Sequence, residues 1–423
     1  LRFNFSLRFL LLAVQTMHIL ILTQFYPPEF GAAAIRLSRL ARLLARDGNR
    51  VTVLTGMPNY PTGIIPLQYR RHVFYRETLD GVDVRRVWVY ASHSKRARAR
   101  LLNQFSFMAM AALRGTFLPR PDVILVESHP LFVCLTGGWL RRIKRAPVVL
   151  NVSDLWPESA VATGALRAYS AIVKIASRVE RWAYRDAAHI VSMTGGVDEG
   201  ILAVHPHRQR VTLIKNAVDL DQFRPGARDR TSMREQLGVG DRFTVVHVGN
   251  MSLTYDMDVI VEAGRRLPEI AFVFAGGGSQ AEFVQQAARD LPNVILTGVL
   301  PHEQMPALWA AADACLIALR DHSVAGGTLP AKMYEALATG TPVVAAIRGE
   351  GATLLEESGA GVVVPIGDPE AMVDALSGLA GDDERRHTLS AAGRTYAEAH
   401  LSPEQVKDAY MTIFERVAWF RVG

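Results

Sequence analysis

Lys332 and Glu335 lie three residues apart within Leu329-Pro330-Ala331-Lys332-Met333-Tyr334-Glu335-Ala336-Leu337-Ala338-Thr339-Gly340-Thr341-Pro342-Val343-Val344. On a helix that spacing puts an ammonium and a carboxylate on one face. The segment predicts a short helix with both ends marked. Pro330 suits the first helical position, where its missing N–H costs nothing, and Gly340 suits the left-handed residue that ends a helix. Pro342 keeps the helix from resuming, and Val343 and Val344 begin a strand. A helix start offers unpaired N–H groups and a partial positive charge, to which Lys332 adds a full one. A cation beside a carboxylate there fits a phosphate carrying a sugar diol, so the predicted ligand is a nucleotide.

Hydrophobic runs predict the elements that must position this pair. Ala314 to Leu319 reads as a buried strand, giving strand, loop, helix, strand; the loop then lies at the carboxyl edge of a parallel sheet, where open α/β folds bind ligands. The same grammar runs through both halves of the chain. In the first half, strands are predicted at His18 to Thr23, Val51 to Leu54, Val123 to Val126, Val148 to Val152 and Ile190 to Met193. A helix after the first strand carries Leu37, Leu40 and Leu44 on one side and ends at Asp47-Gly48. In the second half, strands are predicted at Phe243 to Val248, Ala271 to Ala275 and Val294 to Leu296, with Ser279 and Glu282 as a capping box. The expected class is α/β: Rossmann-like domains at 17–220 and 241–402 facing a cleft. The Gly-, Pro- and charge-rich stretch 221–240 is the expected linker, and 403–423 holds an amphipathic terminal helix.

At 423 residues, 49% hydrophobic and 21% charged, the chain can fill two cores. The net charge of +6 permits an anionic partner, and the absence of any helix-turn-helix, zinc-finger or RNA-binding signature leaves nucleic acid least supported. Cys134 and Cys315 sit far apart in apolar runs and read as reduced, buried thiols. Met17 directly precedes the first strand, so residues 1–16 read as an upstream extension rather than a signal peptide. No apolar stretch approaches the ~18–20 residues that span a bilayer.

The pattern Pro-x-Lys-x-x-Glu-x-x-x-x-Gly-x-Pro-Val-Val resembles the donor-binding helix of family 4 glycosyltransferases of the GT-B fold. Gln24-Phe25-Tyr26-Pro27-Pro28-Glu29, Asp154-Leu155-Trp156-Pro157-Glu158-Ser159, Asn216-Ala217-Val218-Asp219 and Val248-Gly249-Asn250 match in the same order. The branch resembled most builds bacterial capsule, O-antigen and exopolysaccharide units, including N-acetyl-L-fucosamine transferases. The resemblance implies a retaining transfer from a nucleotide-sugar, UDP-linked by preference, to a saccharide or polyprenyl-diphosphate-linked acceptor. It also implies no cofactor or metal, a terminal helix crossing back to the first domain, and a cytoplasmic protein at the inner face of the membrane. A sugar-nucleotide epimerase of the same fold and a non-catalytic nucleotide-sugar-binding subunit are the rival readings.

Under this resemblance Lys332 faces the donor diphosphate and Glu335 the ribose hydroxyls, rather than both being plain helix-surface charges. Gly31, Gly249, Asn250, Gly276, Gly277, Gly278, Gly298 and Val299 are expected around the donor, although glycines also end strands for steric reasons alone. Asp154 either orients the acceptor hydroxyl or caps a helix at Pro157, with Glu158 a weaker candidate. Two departures stand out: Gly327 occupies the place of a family glutamate, and Asn250 and Tyr255 that of a basic pair. A deoxysugar donor would need fewer such contacts. Asp219-Leu220-Asp221 and Asp256-Met257-Asp258 match the Asp-x-Asp metal motif of a different transferase fold and are read as coincidental. Lys95, Arg96, Arg98 and Arg100 lead into an apolar helix and are expected to face an anionic acceptor or membrane surface, or merely to approach a buried helix.

Overall fold

In a computed structural model of the chain, which describes residues 16–29, 31–60, 62–94, 96–162, 166–226, 230–321, 327 and 329–419, the apolar runs form two sheets. The first comprises β1 (His18–Leu22), β2 (Arg50–Gly56), β3 (Phe74–Leu79), β4 (Val82–Val87), β5 (Val123–Glu127), β6 (Val148–Val152), β7 (His189–Ser192) and β8 (Val211–Leu213). Their order is β3-β4-β2-β1-β5-β6-β7-β8, parallel except for β3. Helices cover both faces: Leu20 and Leu22 of β1 join one core layer, Ile19 and Ile21 the other. The second sheet comprises β9 (Thr244–Asn250), β10 (Ala271–Gly277), β11 (Val294–Gly298), β12 (Ala314–Ala318), β13 (Val343–Ala346) and β14 (Gly361–Val364), all parallel in the order β11-β10-β9-β12-β13-β14. In each sheet the strand order reverses beside the first strand, between β1 and β5 and between β9 and β12. Loops diverge at such a point and leave a crevice.

The terminal helix Pro403–Trp419 returns to the first domain. Tyr410, Ile413 and Phe414, on one face at i, i+3 and i+4, are buried beside Leu37, Leu40 and Leu44. Burying each contributes about 1.5–3 kcal/mol. The Tyr410 hydroxyl also donates to Asn151 Oδ1 at 2.6 Å, so this helix reaches the floor of the first sheet.

Several expectations change. Pro330 stands at the N-cap, one place before the helix Ala331–Thr339, while Gly340 closes it in the left-handed conformation with φ 68°. No capping box forms at Ser279 and Glu282: the helix starts at Ala281, and Gln280 at its N-cap is drawn away by bonds from its side chain to the Ser252 and Tyr255 carbonyls. Among its described residues, the stretch 221–240 holds the helix Arg230–Leu237, whose buried Arg234 bonds to Ala311 O and pairs with Asp313. The β3–β4 hairpin was not foreseen; Asp80 and Gly81, both with positive φ, form its two-residue turn. Cys134 and Cys315 are free and buried, and burial pushes both thiols up to about 12. Apart from Thr16, the expected extension lies outside the described residues, among which no helix is long and apolar enough to cross a membrane.

Candidate active site in the interdomain cleft

The carboxyl edges of the two sheets face one another across a cleft of about 1210 Å³. Gly31, Arg36, Tyr60, His129, Asp154 and Gly195 line one wall; Gly327, Leu329, Ala331 and Glu350 line the other. The Ala32–Arg46 helix opens onto this space without a side-chain cap, with Gly31 at its N-cap. The walls touch at one end, where Gly195 N–H donates to Glu350 Oε2 at 2.5 Å and Gly196 packs against Gly327. A Cβ on Gly196 would come within 2.7 Å of Gly327 Cα. The departure at Gly327 is thus built into close backbone packing between the domains.

Lys332 and Glu335 come from adjacent turns, and each feels the other's charge. The two side chains sit in different surroundings, although the spacing puts them on one face of the helix. Lys332 turns under the sheet edge and is 6% exposed. Its Nζ lies 3.0 Å from His247 Nε2 and 3.9 Å from the centre of the Tyr255 ring. His247 Nδ1 lies 3.0 Å from the Leu316 carbonyl, so Nδ1 carries the proton and Nε2 accepts from the lysine. Burial, with no full negative charge in contact among these partners, pulls the Lys332 ammonium down to about 7. Gly249, with φ 103°, passes directly above: a Cβ there would meet Lys332 Cε at 3.9 Å. Glu335 accepts from Trp309 Nε1 at 2.9 Å; burial raises its pKa, opposed by that bond and by Arg39 of the first domain.

The glycine turns stand on the same edge, outside the walls of the cavity just described. Gly276 lets two strand ends cross closely, since a Cβ there would lie 1.9 Å from Gly249 O. A Cβ on Gly278 would meet Asn250 Oδ1 at 2.5 Å. Gly277, Gly298 and the exposed Val299 complete that rim. Across the cleft, Asp154 accepts from the Ser159 hydroxyl at 2.8 Å and remains open to the cavity, which Glu158 also lines. Asp219 is tied to Gln222 N–H and lies near Arg42, and Asp256 and Asp258 pair with Arg320. Arg96, Arg98 and Arg100 are exposed at the start of the Ala97–Thr116 helix, away from the cleft walls; Lys95 lies outside the described residues.

Sequence reasoning missed the polar floor of the first wall. Arg36 pairs with Glu127 at 2.6 Å, and Glu127 also accepts from Asn151 and Ser153 at 2.6 Å each. Acidic and amide side chains ending the apolar strands β5 and β6 were the available signal. His129, Tyr60 and Glu350 carried no motif of their own.

The fold agrees with three comparisons. Residues 31–217 match the family model described as glycosyl transferase 4-like domain, and residues 242–382 match glycosyl transferases group 1. A GDP-mannose-dependent alpha-(1-6)-phosphatidylinositol monomannoside mannosyltransferase of Mycolicibacterium smegmatis is 33% identical over 43% of this chain and 50% of its own length. The chain spans about half the length of the first curated relatives it matches. The putative colanic acid biosynthesis glycosyl transferase WcaI of Escherichia coli is 24% identical over 92% of this chain and 98% of its own. Among solved structures, Anabaena HepE in complex with UDP and glucose superposes with a TM-score of 0.71 at 18% identity, covering 94% of this chain and 99% of that one. With one domain matched by each model and the two sheets opposed as in the GT-B fold, the chain belongs to the group 1, 4-like glycosyl transferases.

Proposed function

We propose that the protein transfers a sugar from a nucleotide-sugar, UDP-linked by preference, to a saccharide or polyprenyl-diphosphate-linked acceptor in bacterial cell-surface polysaccharide assembly. The observation that carries this is Lys332: a buried cation with neutral partners, at a helix start, under a glycine turn on the cleft's edge. An arriving diphosphate supplies the negative charge that Lys332 lacks, so the ammonium is stabilised as the leaving group gains charge. The unpaired N–H groups that begin the Ala331–Thr339 helix act in the same direction. Glu335, held by Trp309, accepts from the ribose hydroxyls. Asp154, on the opposite wall, orients the acceptor hydroxyl. Retention of configuration fits a same-face attack assisted by the leaving phosphate, with domain closure excluding water. The UDP held by Anabaena HepE and the colanic acid assignment of WcaI support the donor and pathway classes. No metal is required by this scheme, so turnover persists in chelator.

A panel of UDP-sugars offered with and without lipid-linked saccharide acceptors tests the reading. Transfer that disappears in Lys332→Ala and Glu335→Ala, with the protein still folded, is the expected result. Interconversion of the donor without acceptor establishes an epimerase instead, and UDP binding with no turnover on any pair establishes a binding subunit.

A further inference from the structure

The polar floor beneath the first wall has a direction. Glu127, which ends β5, is fully buried; its Oε2 accepts from Arg36 and from Asn151 Nδ2, and its Oε1 from the Ser153 hydroxyl, each at 2.6 Å. Asn151 in turn accepts the Tyr410 phenol proton on Oδ1, so its amide N–H is the end that faces Glu127. A carboxylate facing a guanidinium has no proton to give back. Every donor of the network therefore points at Glu127, from the terminal helix on one side and from the cleft on the other.

That direction fixes Ser153. A serine hydroxyl ordinarily turns to donate or to accept, but the proton of this one is committed to Glu127, and its lone pairs are what remains for a ligand. Among the described residues no group donates to that oxygen, and Ser153 lines the cleft. Asp154 follows in the chain and lines it too, with one carboxylate oxygen taking the Ser159 hydroxyl. Neighbouring residues thus offer the cavity oxygens that only accept. The charges of the lining agree: among the described residues Asp154, Glu158, Glu199 and Glu350 are acids, and the cation Arg36 is already paired with Glu127.

We infer that Ser153 and Asp154 read neighbouring hydroxyls of an uncharged sugar ring, with Glu127 as the positioning residue that holds Ser153 in its accepting orientation. This rests on the proposed function and narrows its acceptor to a saccharide whose end at this wall is a neutral polyol. A hydroxyl brings the proton that each oxygen lacks. The network that orients Ser153 is complete before the sugar arrives, so little ordering is left for the moment of binding. A phosphate or a uronate brings only lone pairs and like charge to the same place, and is refused. The diphosphate of a lipid-linked acceptor therefore lies away from Ser153 and Asp154.

Saturation-transfer NMR decides it, with methyl β-D-glucoside, methyl β-D-galactoside, methyl β-D-mannoside and methyl β-D-glucuronide as probes, and with UDP binding measured in parallel by calorimetry. The wild type is expected to bind a neutral glycoside and to hold the glucuronide about tenfold more weakly. Ser153→Ala should weaken the neutral glycoside about fivefold with UDP affinity unchanged, and Ser153→Thr, which keeps the hydroxyl, should restore it. Glu127→Gln can give Ser153 an amide proton, which frees the serine to donate and should narrow the preference against the glucuronide to about threefold. If that variant does not fold, the two Ser153 variants decide. Neutral-glycoside binding untouched by Ser153→Ala makes the serine a loop tie and overturns the inference. A glucuronide bound as tightly as the glucoside, or UDP bound with no glycoside bound, overturns it too. Glycoside binding without UDP binding leaves the inference standing and instead counts against the nucleotide-sugar reading; binding of neither overturns both.

Discussion

Two shielded cations, Arg36 of the first domain and Lys332 of the second, have different partners. Arg36 lies against the Glu127 carboxylate, which Asn151 and Ser153 also hold in place. Lys332 lies against a neutral imidazole and an aromatic ring. The first is a closed ion pair whose charge is spent within the fold. The second is a charge that no carboxylate touches, answered only at a distance by Glu335, and burial has brought it to the edge of neutrality. A cation still seeking an anion is the one suited to a departing diphosphate, whereas a satisfied one is suited to holding a wall in shape.

That contrast can be broken by replacing each cation with an apolar side chain of similar length. Arg36→Met strands the Glu127 charge and is expected to cost about 3–5 kcal/mol of folding stability, read by chemical denaturation. A loss below about 1 kcal/mol would mean the pair is not the closed unit described. Lys332→Met leaves no carboxylate that was in direct contact with it and takes only a distant cation from Glu335; its expected effect is a fall of about 10²–10³ in turnover with the fold retained, measured by donor consumption.

The pH dependence sharpens the comparison. The folded Lys332 titrates near 7 instead of the ordinary 10.5, so between those values the unfolded chain binds the extra proton and stability rises with pH. Wild-type stability relative to Lys332→Met should therefore climb from pH 7 towards pH 10 and flatten below 7. UDP affinity should move the opposite way, weakening above about pH 7 as the ammonium is lost, and Lys332→Met should lack that slope. Parallel titrations of the two proteins by calorimetry would show it. The smallest expected effect belongs to the exposed Arg46–Glu404 pair at 3.1 Å: Glu404→Ala should change stability by less than about 1 kcal/mol, because buried Tyr410, Ile413 and Phe414 anchor the terminal helix.

Much of the frame could be read from the chain because its signals are local. Valine-rich runs gave the parallel strands, and Pro330 and Gly340 bracketed one helix to within a residue. Tyr410, Ile413 and Phe414 follow helical spacing. The β3–β4 hairpin escaped because Phe74–Leu79 is nowhere fully buried and shows no apolar alternation, although its Asp80-Gly81 turn was a usable sign. The polar floor escaped for another reason. Arg36 and Glu127 are 91 residues apart, Lys332 and His247 are 85 apart, and Gly195 and Glu350 are 155 apart.

The sequence by itself determined the two-sheet architecture, the helix that carries Lys332 and Glu335, and the run of cations that leads into the Ala97–Thr116 helix. Only the tertiary structure decided that Lys332 lies under Gly249 beside a neutral His247 and that Gly327 packs against Gly196. Periodicity fixes which residues share a face of one element. Desolvation and charge pairing depend on which element packs above it, and that is settled only when distant parts of the chain meet.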